Sequence, residues 1–118
     1  MLKAEELDQI TLLEWLAWNY PEVAACTFHI ANERKCSRLY GAKLKRLGVK
    51  AGVPDLMIPW PTTRYPGLFI EMKSKTGKPS LSQKKFIATL SKRGYYACFC
   101  FGYDAAVKVI TNYLKDSK

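Results

Sequence analysis

No apolar run in this sequence approaches the roughly 20 residues needed to span a bilayer. Nor does any Cys-x-x-Cys pair occur among its four cysteines, Cys26, Cys36, Cys98 and Cys100. The first absence excludes a membrane-spanning helix. The second, with His29 as the single histidine, leaves no recognisable zinc spacing. Acidic residues are scarce: 10 Asp and Glu stand against 19 Lys and Arg, a formal charge of +9 over 118 residues. That excludes an acidic solvating tail and fits a polyanionic partner: nucleic acid, an acidic protein or a membrane surface. Internal repeats, low-complexity stretches and linkers are also missing. Met1 to Glu14 carries four carboxylates and no long apolar stretch, unlike a secretory signal or a basic transit peptide. The expectation is a cytoplasmic chain with reduced thiols and no membrane or organic cofactor. Cys98 and Cys100, two apart in an apolar run, would share one strand face as small buried residues.

What is present is ordinary for a globule: 48% hydrophobic and 25% charged residues. The length predicts one domain, 1–118, with a real core. Leu7, Ile10, Leu13 and Ala17 recur at helical spacing with Leu16 beside them, predicting a helix over Ala4 to Asn19 that Pro21 closes. A short strand is expected over Cys26 to Ile30, then a basic loop to Lys50 with a short helix around Ala42 to Leu47. Asp55 to Trp60 and Gly67 to Lys73 read as strands. The three prolines between Pro59 and Pro66 make their connection. Ser80 to Arg93 reads as a helix, with Ser80-x-x-Gln83 as a capping box, Phe86, Ile87 and Leu90 as its inner stripe and Gly94 as its stop. Tyr95 to Phe101 is a strand and Asp104 to Leu114 a last helix. The strand–helix–strand segment implies a crossover. The fold class is α/β, a small mixed sheet flanked by helices.

Three residues carry the chemistry. Pro54-Asp55 opens one central strand and Glu71-x-Lys73 closes the next. Residues two apart on a strand face the same way, so Glu71 and Lys73 share a face. If the strands are antiparallel neighbours, Asp55 lies beside Glu71. Two carboxylates so close repel unless a proton or a cation sits between them, and hard oxygen ligands suit Mg²⁺ or Mn²⁺. The Met72 carbonyl is a further candidate oxygen. Such an ion would polarise a phosphodiester and acidify a bound water, and Lys73 would orient that water or offset phosphate charge. The competing reading is an exposed Glu71–Lys73 edge pair with Asp55 capping a turn. Against it, the flanks Leu56-Met57-Ile58 and Leu68-Phe69-Ile70 are apolar, so charges there are costly without a partner. Basic residues also crowd both sides. There are seven from Arg34 to Lys50, among them Arg34, Lys35, Arg38, Lys43 and Lys45. Seven more, with no acid, run from Lys73 to Arg93, among them Lys75, Lys78 and Lys84. A basic surface around an acidic pocket suits a phosphate-backbone substrate.

Gly52-Val53-Pro54-Asp55 followed by Gly67-Leu68-Phe69-Ile70-Glu71-Met72-Lys73 resembles the PD-(D/E)xK nuclease superfamily, and more closely its VRR-NUC domain family, the virus-type replication-repair nucleases. The resemblance continues through Glu5 with Gln9, Tyr20-Pro21-Glu22, His29 with Asn32, Gly41-Ala42-x-Leu44-Lys45, Gly77, Ser80 with Gln83, Gly94-Tyr95 and Tyr113-Leu114. It implies a restriction-endonuclease-like core. It also implies Asp55 and Glu71 as metal carboxylates, Lys73 as the catalytic lysine, Gln83 near the active site and Glu5 as a first-helix metal ligand, with Glu6 its rival. His29 and Asn32 would neighbour the site or the DNA, although a lone histidine is also commonly a packed, backbone-bonded residue. Gln83 also reads as a helix cap; the resemblance favours the site role, and the two can coexist. Asn32-Glu33 departs from the Asn-Gly frequent in the family, which puts a tight turn there in doubt.

The expected function is metal-dependent hydrolysis of DNA phosphodiesters. Stand-alone members resemble homodimeric nucleases of the Holliday-junction-resolvase type, which implies a homodimer selective for branched DNA. No recognition helix with a base-reading set is evident. A non-catalytic basic module that binds nucleic acid, a small structural protein and a sequence-specific restriction-type enzyme are the alternatives.

Overall fold

A computed structural model describes residues 1–31 and 37–117. The expectations placed on Asn32, Arg34 and Lys35 therefore lie outside the described residues. The elements run α1 (Ala4–Asn19), α2 (Pro21–Cys26), β1 (Phe28–His29), α3 (Arg38–Arg46), β2 (Leu56–Ile58), β3 (Leu68–Lys73), α4 (Leu81–Lys92), β4 (Tyr96–Phe101) and α5 (Tyr103–Leu114). One sheet has the order β1-β2-β3-β4. β1/β2 and β2/β3 are antiparallel and β3/β4 is parallel, joined by the α4 crossover. This is the mixed α/β architecture expected.

The two faces of β3 separate core from chemistry. Leu68, Ile70 and Met72 point one way and are buried with Leu56 and Ile58 of β2, Cys100 of β4, Leu12 and Leu16 of α1, and Ala106 and Ile110 of α5. Each buried leucine or isoleucine contributes on the order of 2 kcal/mol. The alternate residues of β3, Phe69, Glu71 and Lys73, face the side that α4 lies on. Cys98 and Cys100 share the core-side face as expected, their Sγ atoms 3.9 Å apart and both free thiols.

Local chemistry explains the helix limits. Ser80 caps α4 by accepting from the Gln83 N–H at 3.2 Å, Gln83 Oε1 accepts from the Ser80 N–H at 2.9 Å, and Gly94 follows its end at φ +98°. Glu6 does the same for α1, accepting from the Lys3 N–H at 2.8 Å. The Tyr113 hydroxyl donates to the Trp60 carbonyl at 2.7 Å, anchoring α5 to the proline-rich connection.

Several expectations need correction. Pro21 does not only close α1; it is the first residue of α2, where its missing N–H costs nothing. That shortens β1 to Phe28–His29, because Cys26 is helical and Thr27 caps the helix. β2 is likewise only Leu56–Ile58. On α1 the predicted stripe is split: Leu16 is fully buried and Leu13 packs against the core, whereas Leu7 is 51% exposed, Ile10 44% and Ala17 is also exposed, and the fully buried Leu12 lies outside the stripe. Apolar residues occur on two sides of this helix, and spacing alone does not separate them. On α4, Phe86, Ile87 and Leu90 are half-buried rather than buried, since that helix covers the sheet near its β4 edge. The short helix of the basic segment is real and longer than expected.

Candidate active site

The β2/β3 register, Leu56 opposite Ile70, sets Asp55 opposite Glu71 one step further along. The Asp55 side chain closes the pair onto the strand: its Oδ2 accepts the Met72 N–H at 2.8 Å. The Asp55 backbone is fixed from the other side, where its carbonyl accepts the Ile30 N–H at 2.8 Å and lies 2.9 Å from His29 Nδ1. A carbonyl only accepts, so the His29 proton sits on Nδ1. Gln9 Nε2 lies 3.3 Å from the same nitrogen, whose proton is directed at the carbonyl, so this approach is a contact between the two side chains and not a second hydrogen bond. This chain of contacts ties the Gln9 face of α1 to the start of β2.

Glu71 is buried, with 4% of its surface exposed. Its Oε2 accepts from Gln83 Nε2 at 3.3 Å and lies 3.8 Å from Lys73 Nζ. Its Oε1 is buried and has no hydrogen-bond partner. Gln83 thus acts both ways at once: its amide oxygen caps α4 and its amide nitrogen holds Glu71.

Gly52 makes this arrangement possible. It sits at φ +83°, and a Cβ there would lie 2.6 Å from the carbonyl carbon and oxygen of Ser82 and 3.0 Å from the Gln83 nitrogen. The loop carrying Asp55 therefore abuts the first turn of α4 with no room for a side chain. In the sequence Gly52 stands only as the first residue of Gly52-Val53-Pro54-Asp55, and that position was the signal for a close approach.

Burial, and then the negative charge of Asp55, push the Glu71 carboxyl up to about 8, with Lys73 pulling the other way. Burial also raises Asp55, opposed by the Met72 N–H bond and by the positive charge of His29 and Lys73. Without a cation the pair therefore retains a proton more readily than free carboxylates do. Two adjacent carboxylates, one with a buried oxygen lacking a partner, form a donor set that fits a hard divalent cation. The Lys73 carbonyl accepts the Gly102 N–H at 2.9 Å on the β4 side. Alternation along the strand then turns the Met72 carbonyl toward Asp55.

The structure joins Asp55, Glu71, Met72, Lys73 and Gln83 at one place. Glu5 does not join them: among the described residues no group of three His, Cys, Asp or Glu side chains gathers. Glu5 lies one turn before Gln9 on the same face of α1, half-buried, while Glu6 bonds the Lys3 N–H. His29 is exposed and bonded to backbone. Lys75, Lys78 and Lys84 are exposed between the end of β3 and the first turn of α4, and Arg38, Lys43 and Lys45 are exposed on α3. No helix among the described residues is long and apolar enough to cross a membrane.

The VRR-NUC domain family model matches residues 3–104. A solved structure, a VRR_NUC domain protein, superposes with a TM-score of 0.84 at 31% identity, covering 98% of this chain and 92% of that one. Curated proteins yield no match.

Proposed function

The chain belongs to the VRR-NUC domain family, and from that premise we propose that it is a divalent-metal-dependent DNA endonuclease acting in the cytoplasm as a homodimer on branched DNA. One observation carries the reading: the buried Glu71, its Oε1 without a partner, set opposite Asp55 across two strands. The fold is of the nuclease type.

Asp55 and Glu71 would hold Mg²⁺ or Mn²⁺, with the Met72 carbonyl beside them. When bound, the cation would polarise the phosphodiester and acidify water. Lys73, 3.8 Å from Glu71 Oε2, orients the attacking water and offsets charge growing on the phosphate. Gln83 fixes the Glu71 carboxylate and leaves Oε1 to face the ligand. His29 fixes the Asp55 backbone, which keeps its carboxylate on the Met72 side. Water attacks phosphorus, the bridging P–O bond breaks, and the leaving oxygen takes a proton.

Lys75, Lys78 and Lys84, exposed between the end of β3 and the first turn of α4, would contact phosphate, selecting charge and shape over sequence. Arg38, Lys43 and Lys45 supply a second basic cluster on α3. Two such sites in a two-fold dimer match the related strands of a junction.

The test is a cleavage panel with Mg²⁺ and with Mn²⁺ on single strands, linear duplex, flaps and four-way junctions, with Asp55→Ala as control. Metal-dependent cutting of junctions over duplex, absent in the control, supports the reading. Equal cutting of duplex and junction removes the structure selectivity. DNA binding without cleavage leaves a basic binding module.

A further inference from the structure

Helix α3 stands apart from the rest of the molecule. Among the described residues no other helix or strand packs against it, and none of its own residues is buried. It nevertheless carries an ordered stripe, Leu39–Lys43–Leu47, at i, i+4 and i+8 counting its capping residue, with Leu39 86% and Leu47 71% exposed. A helix that contacted only phosphates would gain nothing from two exposed leucines at that spacing. Such a stripe asks for a surface with apolar ends and an acidic centre.

The chain carries one. The outward stripe of α1, Ile10–Glu14–Trp18, has the same i, i+4, i+8 spacing, with Ile10 and Trp18 exposed and Glu14 between them. Steps of four residues are about 6 Å on any α-helix, so the two stripes match in length. No Lys or Arg lies between Ala4 and Asn19, whereas α3 carries Arg38, Lys43, Lys45 and Arg46 and no acid. The flanking field therefore has opposite sign on the two helices and favours this pairing over α1 on α1 or α3 on α3.

We propose that α3 of one copy docks on α1 of a second copy, Leu39 and Leu47 against Ile10 and Trp18 with Lys43 paired to Glu14, and that the contact is repeated by the two-fold. The proposal deepens the homodimer reading above and rests on it for the number of copies. Lys43 then faces protein, and Arg38 and Lys45 remain for phosphate.

The experiment is light-scattering mass and sedimentation equilibrium on the full chain and three variants: Lys43→Glu, Glu14→Lys, and the two combined. All sites are exposed, so circular dichroism should be unchanged. The expected result is a wild-type mass twice the 13.4 kDa of one chain. The dimer should weaken at least about tenfold in each single variant and recover in the swapped double variant. A dimer untouched by the single reversals overturns the proposed surface and leaves the homodimer reading intact, as does a Lys43→Glu that loses DNA affinity while remaining dimeric. A wild-type chain that is monomeric throughout overturns both.

Discussion

Gln83 bridges two structures that a sequence shows separately. Its amide oxygen accepts the Ser80 N–H at 2.9 Å as half of a capping box, and its amide nitrogen donates to Glu71 Oε2 at 3.3 Å. One side chain thus couples the start of α4 to the carboxylate on β3.

That coupling separates two substitutions. Gln83→Glu keeps an acceptor for the cap but removes the donor and sets a second carboxylate on Glu71. Gln83→Ala removes both. Cleavage is expected to fall at least about tenfold in each, the loss typical of a positioned hydrogen bond. Stability is expected to fall by about 1 kcal/mol in Gln83→Ala through the lost cap. Denaturant melts beside cleavage rates check this, and full activity in Gln83→Ala would reduce Gln83 to a cap.

Glu71 makes metal-free stability depend on pH. Its carboxyl is raised from 4.5 to about 8 in the fold, so between those values the native state binds more protons than the unfolded one. Stability is fully present below about 4.5 and lost as pH climbs through about 8, a change on the order of a few kcal/mol. The raised Asp55 acts in the same direction. Glu71→Gln should flatten the profile, raise the melting temperature of the metal-free protein near pH 8 and abolish cleavage. A profile unchanged by Glu71→Gln contradicts the burial argument.

Gly52→Ala is expected to damage fold and site together. The residue sits at φ +83°, and its new methyl would meet the Ser82 backbone at 2.6 Å. Gly48→Ala is the control, since Gly48 also has a positive φ but nothing within 4 Å of an added Cβ. Both lose about 1 kcal/mol or more to backbone strain. Only Gly52→Ala should lose more than that and also slow cleavage, by moving the Asp55 loop away from α4. Equal melting temperatures and rates for the two variants would contradict the close approach.

Much of this was legible because it rests on local rules. The Ala4–Asn19 limits of α1, the α4 capping box, β3, and the convergence of Asp55 on Glu71 all follow from periodicity, caps and antiparallel register. What escaped depends on long-range packing. Pro21 ends one helix and starts another, and sequence shows only the ending. On α1, spacing misses Leu12 and places Leu7 and Ile10 inward, because the buried face is set by contacts with distant β3 and α5. The closeness of Gly52 to Ser82 joins residues 30 apart. The Gln9–His29–Asp55 contacts, likewise, join three separate segments.

The central claim is that Asp55 and Glu71 share a divalent cation. Anomalous scattering from a crystal soaked in Mn²⁺ tests it most directly. The account predicts a peak between the Asp55 carboxylate and Glu71 Oε1, absent in Glu71→Gln. Mn²⁺-supported cleavage by the same protein with no peak at that pair would contradict it.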